Sequence, residues 1–259
     1  MRFAHISDLH LCVDPAANPA VNDDANIMAE RLVQDIGRIR EGLDFVIMTG
    51  DLTDDAAPAS FALFENLFRH VGLPLMLVPG NHDGPAGFLE YGRHSGQFAQ
   101  WDISGRVVEL GKLRLLGINT CVEGDTTGAI PASSLDLLQR ELDAETSAQL
   151  LIVMHHPPFM PGLREFDEIS VLAGSDRFAD ILRTARTPPV ILCGHVHRPY
   201  VASLNGAQCF VGGSPARQFA ASPPFGTAAI RPSNEQFSYF VHWTEGASHH
   251  VMTPRWIGG

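Results

Sequence analysis

Groups able to bind cations follow five of the six short apolar runs in this sequence. Each of these five runs leads into a loop that carries aspartate, asparagine or histidine. Where parallel strands form a sheet, their carboxyl ends meet at one edge, so groups far apart in the chain can form one site. In chain order the candidate donors are Asp8, His10, Asp51, Asn81, His155, His195 and His197.

This set of donors suits a pair of divalent cations. Imidazole favours Zn, Fe, Mn or Co over Ca, and carboxylates can bridge two ions. Two cations about 3.5–4 Å apart clamp the attacking and leaving oxygens of an in-line displacement, and they lower the pKa of bound water toward about 7. Two dications, two aspartates and one hydroxide carry a net charge of about +1, which attracts a phosphodiester monoanion. The expected chemistry is metal-dependent hydrolysis of a phosphate ester.

The apolar runs indicate strands buried on both faces, because they are short, rich in Val, Ile, Leu or Phe, and do not alternate. They span residues 3–6, 45–49, 75–78, 113–118, 150–154 and 190–193. Helices are predicted at 25–40, 58–71 and 176–184, and another after a cap at Ser133 or Ser134. Later strands are predicted at 200–204, 208–211, 228–231 and 237–243, closing a second sheet. This order predicts an α/β sandwich of mixed sheets in one domain, residues 1–259.

The composition argues against several other functions. The formal charge is −11, from 29 acidic and 18 basic residues, and no basic stripe is visible, so no nucleic-acid polymer is expected as a partner. An amidohydrolase with a bridging lysine would depend on Lys112, the one lysine, which lies in a predicted turn. A metallo-β-lactamase-like hydrolase needs H-x-H-x-D-H, whereas Arg198 and Pro199 follow His197.

The cysteines and the apolar runs bear on the compartment. The four cysteines show no C-x-x-C spacing, and a 28.1 kDa chain does not need disulfides, so free thiols are expected. A strand is predicted almost at residue 1, which leaves no room for a secretory signal, and no apolar run is long enough to cross a membrane. A cytoplasmic protein without a membrane partner is expected.

Five motifs in order resemble the signature of the calcineurin-like metallophosphoesterase superfamily. They are Asp8-x-His10, Gly50-Asp51, Gly80-Asn81-His82-Asp83, His155 and Gly194-His195-x-His197. The resemblance implies a four-layer αββα sandwich of two mixed β-sheets flanked by helices. It also implies two divalent metal ions that share Asp51. One would be held by Asp8, His10, Asp51 and His197, and the other by Asp51, Asn81, His155 and His195.

The same resemblance assigns roles beside the metals. His82 would be the catalytic residue that stabilises charge on phosphorus and protonates the departing alkoxide. Asp83 would fix the tautomer of His82. For His156, which follows His155, a contact to substrate or to a ligand and a purely structural role all stay open. His5 is expected to be a core histidine.

Within the superfamily, the run Met154-His155-His156-Pro157-Pro158 is most similar to the phosphodiesterase branch, which includes class III cyclic-nucleotide phosphodiesterases and glycerophosphodiesterases. The expected substrate is a small phosphodiester attacked by a metal-bound hydroxide, and a homo-oligomer is implied. A phosphomonoesterase of the same fold and a non-catalytic metal-binding scaffold are the alternatives. Residues 14–24 could form a lid or an ordinary exposed loop.

Overall fold

All six apolar runs form strands in the computed structural model, which describes residues 1–17, 23–220, 231–233, 235–245 and 248–257. In chain order the strands are β1 Arg2–Ile6, β2 Phe45–Thr49, β3 Leu75–Val78, β4 Val107–Leu110, β5 Leu113–Ile118, β6 Cys121–Val122, β7 Asp125–Ala129, β8 Gln149–Met154, β9 Val171–Ala173, β10 Val190–Cys193, β11 Tyr200–Leu204, β12 Ala207–Val211, β13 Gln218–Ala220, β14 Arg231–Ser233, β15 Phe237–Glu245 and β16 Ser248–Ile257.

The predicted helices form close to their expected bounds. The helices are α1 Ala25–Ile39, α2 Pro58–Arg69, α3 Pro85–His94, α4 Gly96–Trp101, α5 Ala132–Asp143, α6 Arg164–Asp167 and α7 Ser175–Thr184, with 3-10 turns at Pro15–Ala17, Arg40–Gly42 and Asn81–Asp83. Helix α2 begins at Pro58, where the missing N–H needs no partner. Its residues Phe61, Phe64 and Phe68 recur at helical spacing and are buried on one face.

Two larger mixed sheets carry the fold. The first has the order β16-β15-β1-β2-β3, and the second has the order β11-β12-β10-β8-β5-β4. Strands β1, β2 and β3 are parallel, as are β5, β8, β10 and β12, while the remaining pairings in both sheets are antiparallel. The carboxyl ends of the parallel strands therefore carry the loops that hold the candidate donors.

Three apolar clusters define four layers. A central cluster joins the two sheets, with Phe3 and Ile47 from the first facing Leu151 and Phe210 from the second. An outer cluster packs α1 and α2 on the first sheet, and another packs α5 and α7 on the second. The expected αββα sandwich is confirmed.

Three details of the prediction were wrong or fall outside the described residues. Of the later predicted strands, β11 and β12 join the second sheet, but β15 does not, because it pairs with β1 in the first sheet. Helix α5 begins at Ala132 after Pro131, whose fixed φ of −58° suits the start of a helix, so Ser133 and Ser134 do not cap it. Residues 228–230 of the strand predicted at 228–231 lie outside the described part of the chain.

Two histidines in the central core predict an acid-sensitive fold. His5 and His242 are fully buried, as expected for His5, and the ring of His242 stacks on Phe3 at 4.8 Å. Burial lowers the pKa of His5 to about 3 and lowers the pKa of His242 well below its ordinary 6.5. The unfolded chain then binds more protons than the folded chain below pH 6.5. The stability that is present above this pH is therefore lost as pH falls.

We expect each of these histidines to reduce the free energy of unfolding as pH falls below 6.5, with a slope that approaches about 1.4 kcal/mol per pH unit near pH 5. His242→Phe should remove one of the two contributions, so its stability should depend less steeply on pH. Urea unfolding at several pH values, with chelator present throughout, measures the slope. Exposed His70 offers the control variant His70→Gln, and an unchanged slope in His242→Phe would contradict the prediction.

Candidate metal centre

All seven candidate donors lie at one edge shared by the two sheets. Loops after β1, β2 and β3 bring Asp8, His10, Asp51 and Asn81 from the first sheet, and loops after β8 and β10 bring His155, His195 and His197 from the second. With the exception of Asn81, which is partly exposed, each of these residues is buried. The structure thus brings together donors that are far apart in the sequence, from Asp8 to His197.

The backbone at this edge adopts an unusual conformation. Five of the seven donors have positive φ values, between 46° and 73°: Asp8, His10, Asp51, His195 and His197. Non-glycine residues in this region store about 1–3 kcal/mol of strain each, and such residues cluster at functional sites. His195 and His197 therefore do not form an extended segment. Both residues adopt the left-handed conformation.

The first cluster contains Asp8, His10, Asp51 and His197, whose donor atoms all lie within 4.8 Å of one another. His10 Nε2 lies 2.9 Å from His197 Nε2 and 3.3 Å from Asp51 Oδ2. His197 Nε2 lies 3.6 Å from Asp8 Oδ1. Two carboxylates and two imidazoles therefore converge on one small volume.

The second cluster forms around Asn81 Oδ1, which lies 3.0 Å from both His155 Nε2 and His195 Nδ1. The two imidazole nitrogens are 3.3 Å apart. Asp51 Oδ2 lies 3.4 Å from His155 Nε2, so this one oxygen faces both clusters. Asp51 is also fixed by a neighbour, because its Oδ1 accepts a hydrogen bond of 2.9 Å from the His82 N–H.

Hydrogen bonds on the far side of the imidazoles determine which nitrogens carry lone pairs. Nδ1 of His10 donates to Asp54 Oδ1 at 2.7 Å, and Nδ1 of His197 donates to the carbonyl of Arg217 at 2.8 Å. A neutral imidazole has one N–H, so the Nε2 atoms of His10 and His197 face each other as lone pairs. Nδ1 of His155 donates to the Thr49 carbonyl at 2.7 Å, which directs its Nε2 toward Asp51 in the same way. Opposed lone pairs and carboxylates fit cations of the type that imidazole and carboxylate bind.

The electrostatics of the two aspartates agree with that fit. Burial raises the pKa of Asp8 to about 6, and Asp51 raises it as well, against the effect of His155. Burial also opposes ionisation of Asp51, but His155, His82 and His10 outweigh it and hold its pKa well below its ordinary value. Two buried carboxylates side by side are stable only when positive charge compensates them.

His82 contacts a carboxylate that the sequence analysis did not single out. Its Nδ1 lies 3.2 Å from Asp54 Oδ1 and 3.3 Å from the Asp54 carbonyl, and its side chain is 35% exposed. Burial lowers the pKa of His82, but Asp51 and Asp54 outweigh this effect and raise it to about 10. The same Asp54 oxygen also accepts from His10, so Asp54 connects a candidate metal ligand with the candidate general acid.

The expected contact between Asp83 and His82 was wrong. The Asp83 carboxylate accepts hydrogen bonds from the backbone N–H groups of Leu52, Thr53 and Gly80 and from the Thr53 hydroxyl. Burial and the neighbouring Asp51 raise its pKa to about 6. Asp83 therefore joins the loops after β2 and β3, which places Asp51 and Asn81 side by side. A Cβ at Gly80 would overlap the Asp51 carboxylate, so this close approach requires glycine.

The remaining predicted residues flank the centre. The ring of His156 packs against the rings of His155 and His195, with centroids 4.9 and 4.5 Å apart. Residues 18–22 of the predicted lid at 14–24 lie outside the described part of the chain. None of the helices among the described residues combines the length and the apolar character needed to cross a lipid bilayer.

Comparisons with known proteins agree with this arrangement. Residues 1–199 match the model of the calcineurin-like phosphoesterase family. The chain is 27% identical over 213 residues to a probable glycerophosphodiester phosphodiesterase of Arcobacter nitrofigilis, covering 81% of this chain and 77% of that protein. It is 25% identical over 256 residues to a probable cyclic nucleotide phosphodiesterase of Synechococcus, covering 96% and 95% of the two chains.

Among solved structures, the fold is similar to that of a dimetal phosphatase from Danio rerio. The TM-score is 0.68 at 13% identity, and the likeness covers 98% of both chains. The family match spans every one of the seven donors and ends just before β11. The chain belongs to the calcineurin-like phosphoesterase family and is an enzyme of the phosphoric ester hydrolase class.

Proposed function

We propose that the chain is a binuclear metal-dependent phosphodiesterase that hydrolyses small phosphodiesters. The observation that carries this proposal is the pair of Nε2 atoms of His10 and His197, which lie 2.9 Å apart while both Nδ1 atoms donate elsewhere. Neither Nε2 has a proton to share in the neutral rings, so a cation between them removes the repulsion. Asp8 and Asp51 beside them supply the compensating charge.

The contacts support two ligand sets with one shared carboxylate. Asp8, His10, Asp51 and His197 would hold one cation, and Asp51, Asn81, His155 and His195 would hold the other. When bound, two such cations supply hydroxide at neutral pH and neutralise charge on the phosphate oxygens. Imidazole-rich sets of this kind suit Fe, Mn, Zn or Co.

His82 is the proposed general acid. Its side chain is 35% exposed and its Nδ1 is held by Asp54, so Nε2 is the atom that would deliver a proton to the departing alkoxide. The ring of His82 lies 4.6 Å from the ring of His10, which places it beside the first ligand set. The Asp54 carboxylate orients the imidazole and favours its charged form.

A diester is the proposed substrate class because of the relatives' names and the local charge. Relatives in the comparison are named as phosphodiesterases of glycerophosphodiesters and of cyclic nucleotides. The chain as a whole carries a formal charge of −11, so an anionic substrate must be attracted locally by the cations. A cytoplasmic location and a homo-oligomeric state stay predictions from the sequence.

Hydrolysis of bis(p-nitrophenyl) phosphate with added Mn²⁺ or Co²⁺ tests the proposal, with chelator as the control. We expect turnover that chelator abolishes and added metal restores. Parallel assays with 3′,5′-cyclic AMP, a glycerophosphodiester and p-nitrophenyl phosphate then rank the substrates. A clear preference for the monoester would replace the proposal by a phosphomonoesterase. Bound metal without hydrolysis of any ester would replace it by a non-catalytic scaffold.

A further inference from the structure

The hairpin formed by β6 and β7, residues 121–129, lies beside the proposed general acid. Strand β7 is next to the turn Asn81–Asp83, which carries His82. Glu123 on the hairpin accepts a hydrogen bond of 2.9 Å from the N–H of Ala86, at the start of α3. The hairpin therefore lies next to the turn that carries the proposed proton donor.

His156 is hydrogen-bonded to this hairpin through a fixed tautomer. Its Nε2 lies 3.2 Å from the carbonyl of Thr126 on β7, and a carbonyl can only accept, so Nε2 carries the proton. Its Nδ1 lies 2.8 Å from the hydroxyl of Thr120 and must accept from it. Both ring nitrogens are thus engaged by protein groups, which disfavours His156 as a metal ligand even though one of its nitrogens lies within 4.8 Å of donor atoms of His155 and His195.

The surroundings of His156 leave its ring no alternative position. His156 and Thr120 are both fully buried, and the backbone N–H of His156 also reaches the Thr120 hydroxyl at 3.3 Å. Gly128 on β7 packs directly against the His156 side chain, and a Cβ at this position would lie 2.6 Å from His156 Cγ. The hairpin can approach this closely only because residue 128 has no side chain.

The geometry points to His156 as a positioning residue for residues 121–129. This hairpin would form one wall of the substrate site, on the side of the departing alcohol. Its ring packs against His155 and His195, so it links the hairpin to two of the candidate ligands. This inference rests on the proposed function for its catalytic consequence, but the contact between ring and hairpin stands independently of the reaction. Loss of the Thr126 bond should loosen the wall, weaken substrate binding and leave the metals in place.

Two substitutions separate the two hydrogen bonds of the ring. Glutamine places an amide N–H near the position of Nε2, so His156→Gln keeps a donor for Thr126. Asparagine reaches only the position of Nδ1. His156→Asn therefore keeps the contact with Thr120 and loses the hydrogen bond to Thr126 on the hairpin. We expect His156→Asn to raise KM for bis(p-nitrophenyl) phosphate about tenfold, with little change in kcat and with unchanged metal content. His156→Gln should rescue KM.

Hydrogen exchange provides a readout that does not depend on catalysis. In His156→Asn the backbone amides of residues 121–129 should exchange about tenfold faster or more, while the amides of β8 and β10 keep their protection. If the protein binds two metals and hydrolyses no diester, the proposed function fails and hydrogen exchange still tests the role of His156. Equal exchange and equal KM in His156→Asn and the native protein would overturn the inference. Metal loss in His156→Asn would also overturn it and make His156 a ligand.

Gly128→Ala gives a second route that leaves His156 in place. The new methyl group must push the hairpin away from the ring, so this variant should reproduce the raised KM and the faster exchange. In a His156→Gly background both the ring and the Cβ of residue 156 are absent, so the methyl group has space. The effect of Gly128→Ala should then largely disappear, as expected for two residues that act through one contact. Additive effects in the double variant would overturn the inference.

Discussion

Asp51→Asn should empty both proposed metal positions and lower turnover by about a thousandfold or more. The cations supply several kcal/mol of charge stabilisation in the transition state, and about 1.4 kcal/mol corresponds to a factor of ten in rate. One oxygen of Asp51 faces His10 at 3.3 Å in the first cluster and His155 at 3.4 Å in the second. Asparagine has nearly the same shape and tolerates the φ of 51° found here, so the fold should survive. The change removes the charge that the two clusters share.

Asn81→Ala is the matched comparison for Asp51→Asn. Asn81 Oδ1 contacts His155 and His195, both in the second cluster. Its removal should therefore weaken binding of the metal in the second cluster and leave binding of the other metal unchanged. Elemental analysis and titration of the metal-free variants with Co²⁺ measure the number of metals bound, and thermal melting checks that each variant is folded. Two metals and native turnover in Asp51→Asn would contradict the shared role of this carboxylate.

The parts of the site that could be predicted from the sequence are those in which donor type coincides with a strand end. Asp8, Asp51 and His155 each follow a short apolar run, and parallel pairing of those runs brings their ends together. The geometry of the loops could not be read in the same way. Positive φ at five donors is imposed by the packing around them, and aspartate or histidine gives no local signal for it comparable to glycine.

Asp54 was missed because its sequence context has a more ordinary explanation. It lies in the run Thr53-Asp54-Asp55, shortly before a helix that begins at Pro58, where aspartates commonly serve turns and caps. Its position three residues after Asp51 was the available signal. The contact with His82 was assigned to Asp83, which is adjacent in sequence, but it is made by Asp54. Adjacency to His82 does not determine which loop the Asp83 carboxylate reaches.

The hairpin 121–129 and the edge strand β16 were also missed. Strand β7 reads Asp125-Thr126-Thr127-Gly128-Ala129, which is polar and contains a glycine, so neither alternation nor an apolar run marks it as a strand. It is held instead by tertiary contacts, including the bond from His156. For that reason the role of His156 could not be chosen from the sequence, where both directions of its side chain were open.

Removal of the proposed general acid should separate turnover from metal binding. His82→Gln is expected to lower kcat by about a hundredfold to ten-thousandfold, the usual contribution of a positioned acid, while both metals remain. Nδ1 of His82 contacts Asp54, and His82 belongs to neither of the two proposed ligand sets. Metal content by elemental analysis and kcat at saturating metal are the two measurements. Loss of metal in His82→Gln would contradict the assigned role.

Asp54→Ala should affect both properties at once. The Asp54 oxygen lies 2.7 Å from His10 Nδ1 and 3.2 Å from His82 Nδ1, and loss of a carboxylate that orients a ligand histidine typically weakens metal affinity about 10- to 100-fold. Asp55→Ala is the matched control, because Asp55 is exposed and its carboxylate accepts from the N–H of Ala57. In a His82→Gln background at saturating metal, Asp54→Ala should lower kcat much less than it does in the native protein, since the acid it orients is already absent. Fully additive losses would mean that Asp54 acts on turnover by a route other than His82.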